Sequence, residues 1–325
     1  MRIALHLRLF GVILFLCTYF PLQAQLIYEE RIEFELNDGY NADFIIPQGK
    51  SGFMIIAENE DSRGKEVEWL YDYYNNKLEH EDSKKILIDK KFNSIATYTN
   101  EEATYTLYKH RRKGEFEIIT ANKKSNELVS ARGELPKKFI NDQFYILGEY
   151  AYLTGMLKKS PTLFVVNWRT GRSRIIPIAV GDYKPKRTEI SNFQVKSEDN
   201  EFLIFIKAND SRKESETFMM TGSEDQINSK SFKLGKTGTK NLIAISASKT
   251  DQSEYLITGT YGENSSLSSS GIFFGKIDGK KVSFLKFYNF LDLKDFLSYL
   301  PEKKQKKIKK KKKRKKKKGK ELNFN

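Results

Sequence analysis

The chain has 325 residues, of which 13% are aromatic, and a formal net charge of +15. Fifteen of its 57 Lys and Arg lie in residues 303–320, so residues 1–302 carry 42 basic and 41 acidic residues. This near-neutral body does not support a basic nucleic-acid-binding face, and the single cysteine, Cys17, excludes a disulfide framework.

Residues 1–24 predict a secretory signal peptide. Arg2 and Arg8 precede the apolar run Leu9–Phe20, and Pro21-Leu22-Gln23-Ala24 gives a small-residue cleavage site before Gln25. The apolar run is shorter than the roughly 20 residues that a membrane-spanning helix requires. We therefore expect an exported protein, periplasmic or at the cell surface or extracellular, with no transmembrane segment after cleavage. The mature chain would contain no cysteine.

Leu26–Ile46 predicts two strands, Ile32–Leu36 and Ala42–Ile46, around the turn Asn37-Asp38-Gly39. Five units follow, each ending in a pair of strands about a polar turn. The second halves of these units begin at intervals of 49, 48, 53 and 55 residues, near Glu66, Glu115, Leu163, Glu216 and Gly271. This period is close to that of four-stranded propeller blades.

The last unit is the clearest, because Asp278-Gly279 between two strand-like runs is a strong hairpin signal. Its four predicted strands are Ile243–Ala247, Glu254–Tyr261, Gly271–Ile277 and Val282–Asn289. The paired strands of the other units are Val67–Tyr74 with Lys84–Asp89, Phe116–Ala121 with Glu127–Ala131, Leu163–Trp168 with Ser173–Ile178, and Thr217–Thr221 with Ser229–Leu234.

Each pair is preceded by a more apolar run, which we interpret as the inner and most buried strand of its blade. These runs are Phe53–Ala57, Ser94–Tyr98, Phe144–Leu157, Phe202–Ile206 and Tyr255–Thr260. The predicted fold class is therefore all-β, a β-propeller-like array of four-stranded blades over residues 25–290. It forms an incomplete ring or a ring of five to six blades, with Leu26–Ile46 as the candidate to close it. A twisted β-sandwich is the alternative.

The hydrophobic period changes after the last predicted strand. An apolar stripe at helical spacing predicts a short amphipathic helix over residues 291–301; its members are Leu293, Phe296, Leu297 and Leu300. Residues 302–325 form a polybasic tail, which we expect to be a Lys-rich helix or disordered.

No catalytic, cofactor-binding or metal-binding residue is predicted. His80 and His110 have no ligand-spaced partner and are expected at the surface. The chain has no G-x-S-x-G motif, and the serines of Gly262–Ser270 are typical of a loop. Gly235-Lys236-Thr237 has the ending of a phosphate-binding loop, but Lys230 stands where the earlier glycine is required.

Paired carboxylates and clustered aromatic residues are the remaining candidates for a site. The carboxylates fall in predicted turns and are expected to be solvated; they are Glu58/Glu60/Asp61, Glu198/Asp199, Asp210/Glu214 and Glu224/Asp225. Trp69 and Trp168, with Tyr71, Tyr73 and Tyr74, are candidates to line a carbohydrate- or peptide-binding face. Packing between blades is the interpretation that we favour for them.

The Lys-rich tail is the strongest physical feature, because its charges attract any polyanion without sequence specificity. The candidate polyanion-binding residues are Lys303, Lys304, Lys306, Lys307, Lys309, Lys310, Lys311, Lys312, Lys313, Arg314, Lys315, Lys316, Lys317, Lys318 and Lys320. An anionic envelope surface is a candidate partner of this tail, and a solvated linker helix is the alternative.

Three segments and the tail behind them resemble exported proteins of Bacteroidota with propeller-type chains of unassigned function: Gly259-Thr260-Tyr261, Gly271-Ile272-Phe273-Phe274 and Phe287-Tyr288-Asn289-Phe290-Leu291. The resemblance covers about residues 240–325 and implies no catalytic residues. In such proteins the Lys-rich helix lies inside the chain, so the resemblance implies that this chain is a truncated form.

Three functions follow from these patterns. We expect an exported, non-catalytic scaffold or binding module that takes an unknown protein or glycan ligand on its loops, without a cofactor. An exported hydrolase acting on carbohydrate or peptide is the alternative, and it would require carboxylates that meet in the central channel. A protein that associates with the envelope or with polyanions through its tail is the third hypothesis.

Overall fold

The computed structural model describes residues 39–209, 215–224, 230–234, 240–263, 268–278 and 281–317. The predicted signal peptide, the predicted strand Ile32–Leu36 and the last residues of the polybasic tail lie outside these ranges. Among the described residues, no helix combines the length and the hydropathy that crossing a membrane requires.

The described chain forms five four-stranded antiparallel sheets, which we number as blades 1 to 5 in chain order. Blade 1 contains β1 (Tyr40–Pro47), β2 (Phe53–Asn59), β3 (Glu66–Tyr74) and β4 (His80–Asp89). Blade 2 contains β5 (Phe92–Thr99), β6 (Ala103–His110), β7 (Glu115–Asn122) and β8 (Leu128–Glu134). Blade 3 contains β9 (Phe139–Leu147), β10 (Tyr150–Leu157), β11 (Ser160–Asn167) and β12 (Ser173–Pro177).

Blade 4 contains β13 (Thr188–Lys196), β14 (Glu201–Asn209), β15 (Ser215–Ser223) and β16 (Lys230–Lys233). Blade 5 contains β17 (Lys240–Lys249), β18 (Tyr255–Glu263), β19 (Gly271–Asp278) and β20 (Lys281–Asn289). Within the described ranges, short 3₁₀ turns lie at Gly49–Ser51, Pro185–Arg187 and Phe290–Asp292, and an α-helix, α1, spans Glu302–Lys316.

Each blade pairs its four strands in chain order, so every hydrogen-bonded ladder joins consecutive strands. This confirms the predicted all-β, propeller-like array and its repeat, whose third strands begin at Glu66, Glu115, Ser160, Ser215 and Gly271. The β-sandwich alternative is wrong, because the strands form five separate sheets and not two stacked ones.

Four hydrophobic clusters join successive blades. Trp69 and Tyr71 of blade 1 pack with Tyr108 of blade 2 in one of them. The next cluster joins blades 2 and 3, a third joins blades 3 and 4, and the last joins Phe205 of blade 4 to Phe273 of blade 5. Among the described residues, no cluster joins blade 5 to blade 1. Ala42–Ile46, proposed to help close the ring, lies in β1 and pairs with β2 instead.

The first strands lie side by side around the axis of the array, where β5 contacts β9, β9 contacts β13, and β13 contacts β17. Three of the apolar runs that we interpreted as inner strands, Phe53–Ala57, Phe202–Ile206 and Tyr255–Thr260, lie instead in the second strands of their blades. The first strands are only partly buried, whereas in blades 1 to 4 the second and third strands are buried along most of their length. The core therefore lies between the middle strands of neighbouring blades.

The amphipathic helix predicted for residues 291–301 is absent from the structure, which has a 3₁₀ turn and then separate turns there. Asp295 has φ +58°, a left-handed conformation that interrupts a right-handed helix. The apolar stripe is still used for packing: Leu297 is buried, and the Phe290 and Phe296 rings stack with centroids 4.9 Å apart. The polybasic segment that follows is helical over Glu302–Lys316.

Candidate functional site

A cleft of about 710 Å³ opens where the first turns of blades 2, 3 and 4 meet. These turns connect β5 to β6, β9 to β10, and β13 to β14, so they lie at the end of the array to which the first strands run. Residues from all three turns line the cleft: Tyr98, Thr99, Asn100, Glu101, Glu102, Leu147, Gly148, Val195, Lys196, Ser197, Glu198, Asp199 and Asn200. Two further cavities, of about 580 and 570 Å³, each involve a smaller part of the array.

The turn of blade 2 is shaped by its own side chain. Asn100 accepts hydrogen bonds at Oδ1 from the backbone N–H groups of Glu102 (3.0 Å) and Ala103 (2.9 Å). This side-chain turn is a common use of asparagine. It directs Glu101 and Glu102 into solvent at the mouth of the cleft.

The turns of blades 3 and 4 are braced by Glu224, which lies between β15 and β16. Its Oε1 accepts a 2.9 Å hydrogen bond from the Glu149 backbone N–H, and its carbonyl oxygen accepts one of 2.6 Å from the Tyr152 hydroxyl. Its Oε2 also lies 3.5 Å from Nδ2 of Asn200. Gly148 has φ +55°, and a Cβ atom there would collide with the Glu224 carboxylate. A glycine is therefore required for this close approach.

Four carboxylates surround the cleft, Glu101, Glu102, Glu198 and Asp199, together with one ammonium, Lys196. All four are exposed, and none forms an ion pair within the part of the chain that the structure describes. Several carboxylates elsewhere on the body form ion pairs with Lys or Arg, among them Glu68, Glu117, Glu149, Glu216 and Glu254. The cleft lining thus carries four carboxylates against one ammonium, on a body that is nearly neutral.

One aromatic ring, that of Tyr98, lines the cleft on the side of blade 2, beside Glu101 and Glu102. Tyr98 packs edge-on against Tyr145 at 5.7 Å, and burial raises the pKa of its hydroxyl. Burial also raises the pKa of Tyr105 to about 12. Burial lowers the pKa of Lys123, a shift that the nearby Glu101 opposes. The cleft thus places an aromatic ring beside carboxylates. A ligand with an apolar part and a positive charge can contact both.

Both tryptophans pack between blades, as the favoured interpretation predicted. Trp69 meets Tyr108 of blade 2 edge-on at 4.9 Å, and Trp168 meets Tyr105 of blade 2 at 5.5 Å. Tyr71 is fully buried, with its hydroxyl 3.1 Å from that of Tyr108. Tyr73 is buried in the same cluster, and Tyr74 is partly exposed.

The two histidines of the described chain differ. His80 is exposed, as expected, with Nε2 2.8 Å from the Ser83 hydroxyl. His110 was expected at the surface but is buried, because its Nδ1 accepts the backbone N–H groups of Arg112 and Lys113 at 3.1 and 3.0 Å. Its ring also packs edge-on against Phe92. The basic residues after His110 form the turn that it closes.

The predicted carboxylate pairs are scattered over the array. Glu198 and Asp199 lie in the cleft, whereas Glu60 and Asp61 lie in the turn after β2, at the opposite end of the strands. Glu58 lies in β2 and not in a turn, and its pKa is raised by burial and by Asp43. The Asp210/Glu214 pair, Asp225, Lys236-Thr237 and the serines at 265 and 266 lie outside the described residues.

Of the predicted polyanion-binding residues, those from Lys303 to Lys316 lie in α1 and Lys317 follows it; Lys318 and Lys320 lie outside the described residues. Sequence reasoning missed the part of the cleft formed by Glu101, Glu102 and Gly148. The usable signal was Asn100 with two following acids, a turn motif after the apolar run Ser94–Tyr98.

Comparison with known proteins found no matching protein-family model and no matching curated protein. The β-propeller domain of the Trilobed protease from Pyrococcus furiosus aligns at 13% identity and a TM-score of 0.44, over 79% of this chain and 73% of that one. An uncharacterised protein from Listeria monocytogenes EGD-e aligns at 8% identity and a TM-score of 0.45, over 80% and 69%. Prolyl oligopeptidase B from Galerina marginata aligns at 9% identity and a TM-score of 0.44, over 77% of this chain and 34% of that one. Likenesses of this strength carry no information about activity, and the fold assignment rests on the strand pairing itself.

Proposed function

We propose that this protein is an exported, non-catalytic binding module whose ligand occupies the cleft between the first turns of blades 2, 3 and 4. The observation that carries the proposal is the cluster of four unpaired carboxylates around a cleft with an aromatic side. Because unpaired charges of one sign repel, a ligand with positive charge relieves a cost that the free protein bears. A cationic segment of a peptide is the ligand class that this chemistry favours.

Export is the part of the proposal that rests on residues 1–24. Cleavage before Gln25 is supported by the basic start, the apolar run and Ala24. N-terminal sequencing of the protein recovered from the envelope or the medium tests it: a mature chain that begins at Gln25 is expected, and a retained Met1 would contradict export by cleavage.

Calorimetric titration with a short lysine peptide and with a glutamine peptide of equal length tests the binding site. We expect the lysine peptide alone to bind, and the double substitution Glu198→Gln with Asp199→Asn to weaken binding by about tenfold or more. The matched control is Glu81→Gln with Glu134→Gln, which removes two exposed carboxylates outside the cleft. Equal loss in both variants would mean that the attraction comes from the whole body and not from the cleft.

Whether the protein cleaves a bound peptide distinguishes the hydrolase hypothesis from the binding module. A hydrolase that uses two carboxylates needs one of them held protonated in a protected environment, and the four cleft carboxylates stand exposed on turns. We expect lysine-containing peptides and oligosaccharides to be recovered intact by mass spectrometry after incubation. Cleavage that disappears with Glu198→Gln would replace the binding module with an enzyme.

A further inference from the structure

Helix α1 has one side turned toward the body. Gln305, Ile308 and Lys312 are partly buried, and their spacing of three and four residues puts them on one face. Gln305 Nε2 donates a 2.8 Å hydrogen bond to the Leu300 carbonyl oxygen. Lys312 Nζ donates to the Leu291 carbonyl oxygen at 3.2 Å and to Asp292 Oδ1 at 2.6 Å. These contacts fix the rotation of the helix about its axis.

The opposite side of the helix carries a continuous row of positive charge, which we call the basic ridge. Its members are separated by three or four residues and are all exposed: Lys303, Lys307, Lys310, Arg314 and Lys317. Within the described chain they form no ion pair, whereas Lys306 and Lys312 do. The ridge is therefore a row of unneutralised cations with a defined direction.

Exposed aromatic side chains lie on the segment just before this helix and on the last two strands of blade 5. Tyr299, with 73% of its surface exposed, stands two residues before Pro301 and the start of α1. Tyr288 and Phe274 are 44% and 45% exposed on the outer face of blade 5, with ring centroids 6.0 Å apart. β20 ends one residue after Tyr288, immediately before the 3₁₀ turn that holds the acceptors of Lys312. The aromatic residues and the helix thus belong to one corner of the array.

We propose that the basic ridge together with Tyr299, Tyr288 and Phe274 forms a surface that binds an anionic lipid bilayer. The ridge supplies attraction to charged head groups, and tyrosine and phenylalanine rings insert at the level of those groups. A nucleic acid duplex or an acidic polysaccharide would use the charges but would gain little from exposed rings on a sheet. The proposal goes beyond ligand binding in the cleft and stands independently of it.

This surface also orients the molecule. The fourth strand of each blade runs away from the end where the first turns lie, so the end of β20 and the anchor of α1 are at the opposite end of the array from the cleft. A bilayer bound there leaves the cleft facing away from the membrane and accessible to a ligand.

Sedimentation of the full chain with vesicles tests the proposal. The probes are vesicles of phosphatidylcholine alone and vesicles in which part of it is replaced by phosphatidylglycerol, at low and at high salt. The ridge variant carries Lys303→Gln, Lys307→Gln and Lys310→Gln, and its control removes three exposed lysines of the body with K50Q, K77Q and K138Q. The aromatic variant carries Tyr288→Ser and Tyr299→Ser, and its control is Ile140→Ser at an exposed site of blade 3. Circular dichroism establishes that each variant is folded.

We expect binding to the anionic vesicles only, weakened by salt, with a loss of about a hundredfold in the ridge variant and little change in its control. The aromatic variant should bind anionic vesicles several-fold more weakly while binding duplex DNA as the unmodified chain does. Equal binding to both vesicle types overturns the proposal. So does an aromatic variant that binds vesicles as well as the unmodified chain, because the tail would then be a charge-only polyanion binder. Binding of the lysine peptide in the cleft is a separate readout, which all these variants should retain.

Discussion

Glu224 is the residue that ties two walls of the cleft together. Its carboxylate accepts a hydrogen bond from the backbone N–H of Glu149 in the blade 3 turn, and it lies near the Asn200 side chain in the blade 4 turn. Gly148 allows this contact because it has no side chain at a left-handed backbone position. The geometry of the cleft therefore depends on Glu224 and Gly148, neither of which needs to contact a ligand.

Gly148→Ala should destabilise the fold by about 2–3 kcal/mol, because the left-handed conformation costs about 1 kcal/mol and the methyl group displaces the Glu224 carboxylate from its hydrogen bonds. Gly181→Ala is the matched control. Gly181 has φ +49°, and the nearest atom to a new Cβ would be Tyr183 Cδ2 at 3.9 Å. Urea denaturation of both variants measures the difference. Equal losses would mean that Glu224 moves aside without cost.

A single strand of blade 5 contributes one side chain to the core and the next to the exposed surface. In β19, Phe273 is fully buried against blade 4 and joins the core there, whereas Phe274, the next residue, is 45% exposed on the opposite face. Successive strand residues point to opposite sides of a sheet. Two adjacent phenylalanines therefore have different roles.

Phe273→Ala should lower the free energy of unfolding by about 3–5 kcal/mol, because it leaves a cavity between blades 4 and 5. Phe274→Ala, the neighbouring control, should change it by less than about 1 kcal/mol. Thermal or urea unfolding of the two variants makes the comparison. A large loss at Phe274 would show that the outer face of blade 5 is covered in solution.

The third and fourth strands were predicted in every blade, whereas β6 and β13 were not. Hairpins such as β7–β8 were predicted from turn residues, here Lys123-Lys124-Ser125-Asn126, between two apolar runs. β13 was missed because it lies on the axis and mixes Asn192 and Gln194 with apolar residues. Those amides bond the backbone of β17 at Ile245 and Ala247, a long-range pairing that no local pattern indicates.

The cleft was predictable only in part for the same physical reason. Glu198 and Asp199 stood out as neighbouring acids in a turn, but Glu101 and Glu102 lie about 100 residues earlier in the sequence. What brings them together is the packing of blades 2, 3 and 4 around a common axis. The charge of the cleft thus depends on which blades are neighbours. The period of the repeat predicts successive blades, but no local sequence pattern shows which of their turns meet.

At the scale of the whole molecule, the blades differ in how much of each is covered. Blade 3 has a core cluster on both faces, whereas blade 5 leaves several large apolar side chains exposed on its outer face. In an array in which each blade contacts only its neighbours, the free energy of local unfolding is higher for a blade packed on both faces than for a blade with one exposed face.

Hydrogen exchange followed by mass spectrometry should therefore show the slowest exchange in β10 and β11 and faster exchange in β19 and β20. The expected order follows from contacts across both faces of blade 3 and from the exposed Leu256, Phe274 and Phe284 of blade 5. Uniform exchange across all five blades would mean that the array unfolds as a single cooperative unit.

The pairing of strands strictly in chain order has a consequence for synthesis and for evolution. Within the described chain, every strand pairs only with strands of its own blade, which are its neighbours in the sequence. The average sequence separation of strand contacts is therefore small for an all-β protein, which favours rapid folding of each blade as it emerges. A duplication or deletion of about 50 residues in the gene would likewise add or remove one whole blade without breaking a hydrogen-bonded ladder.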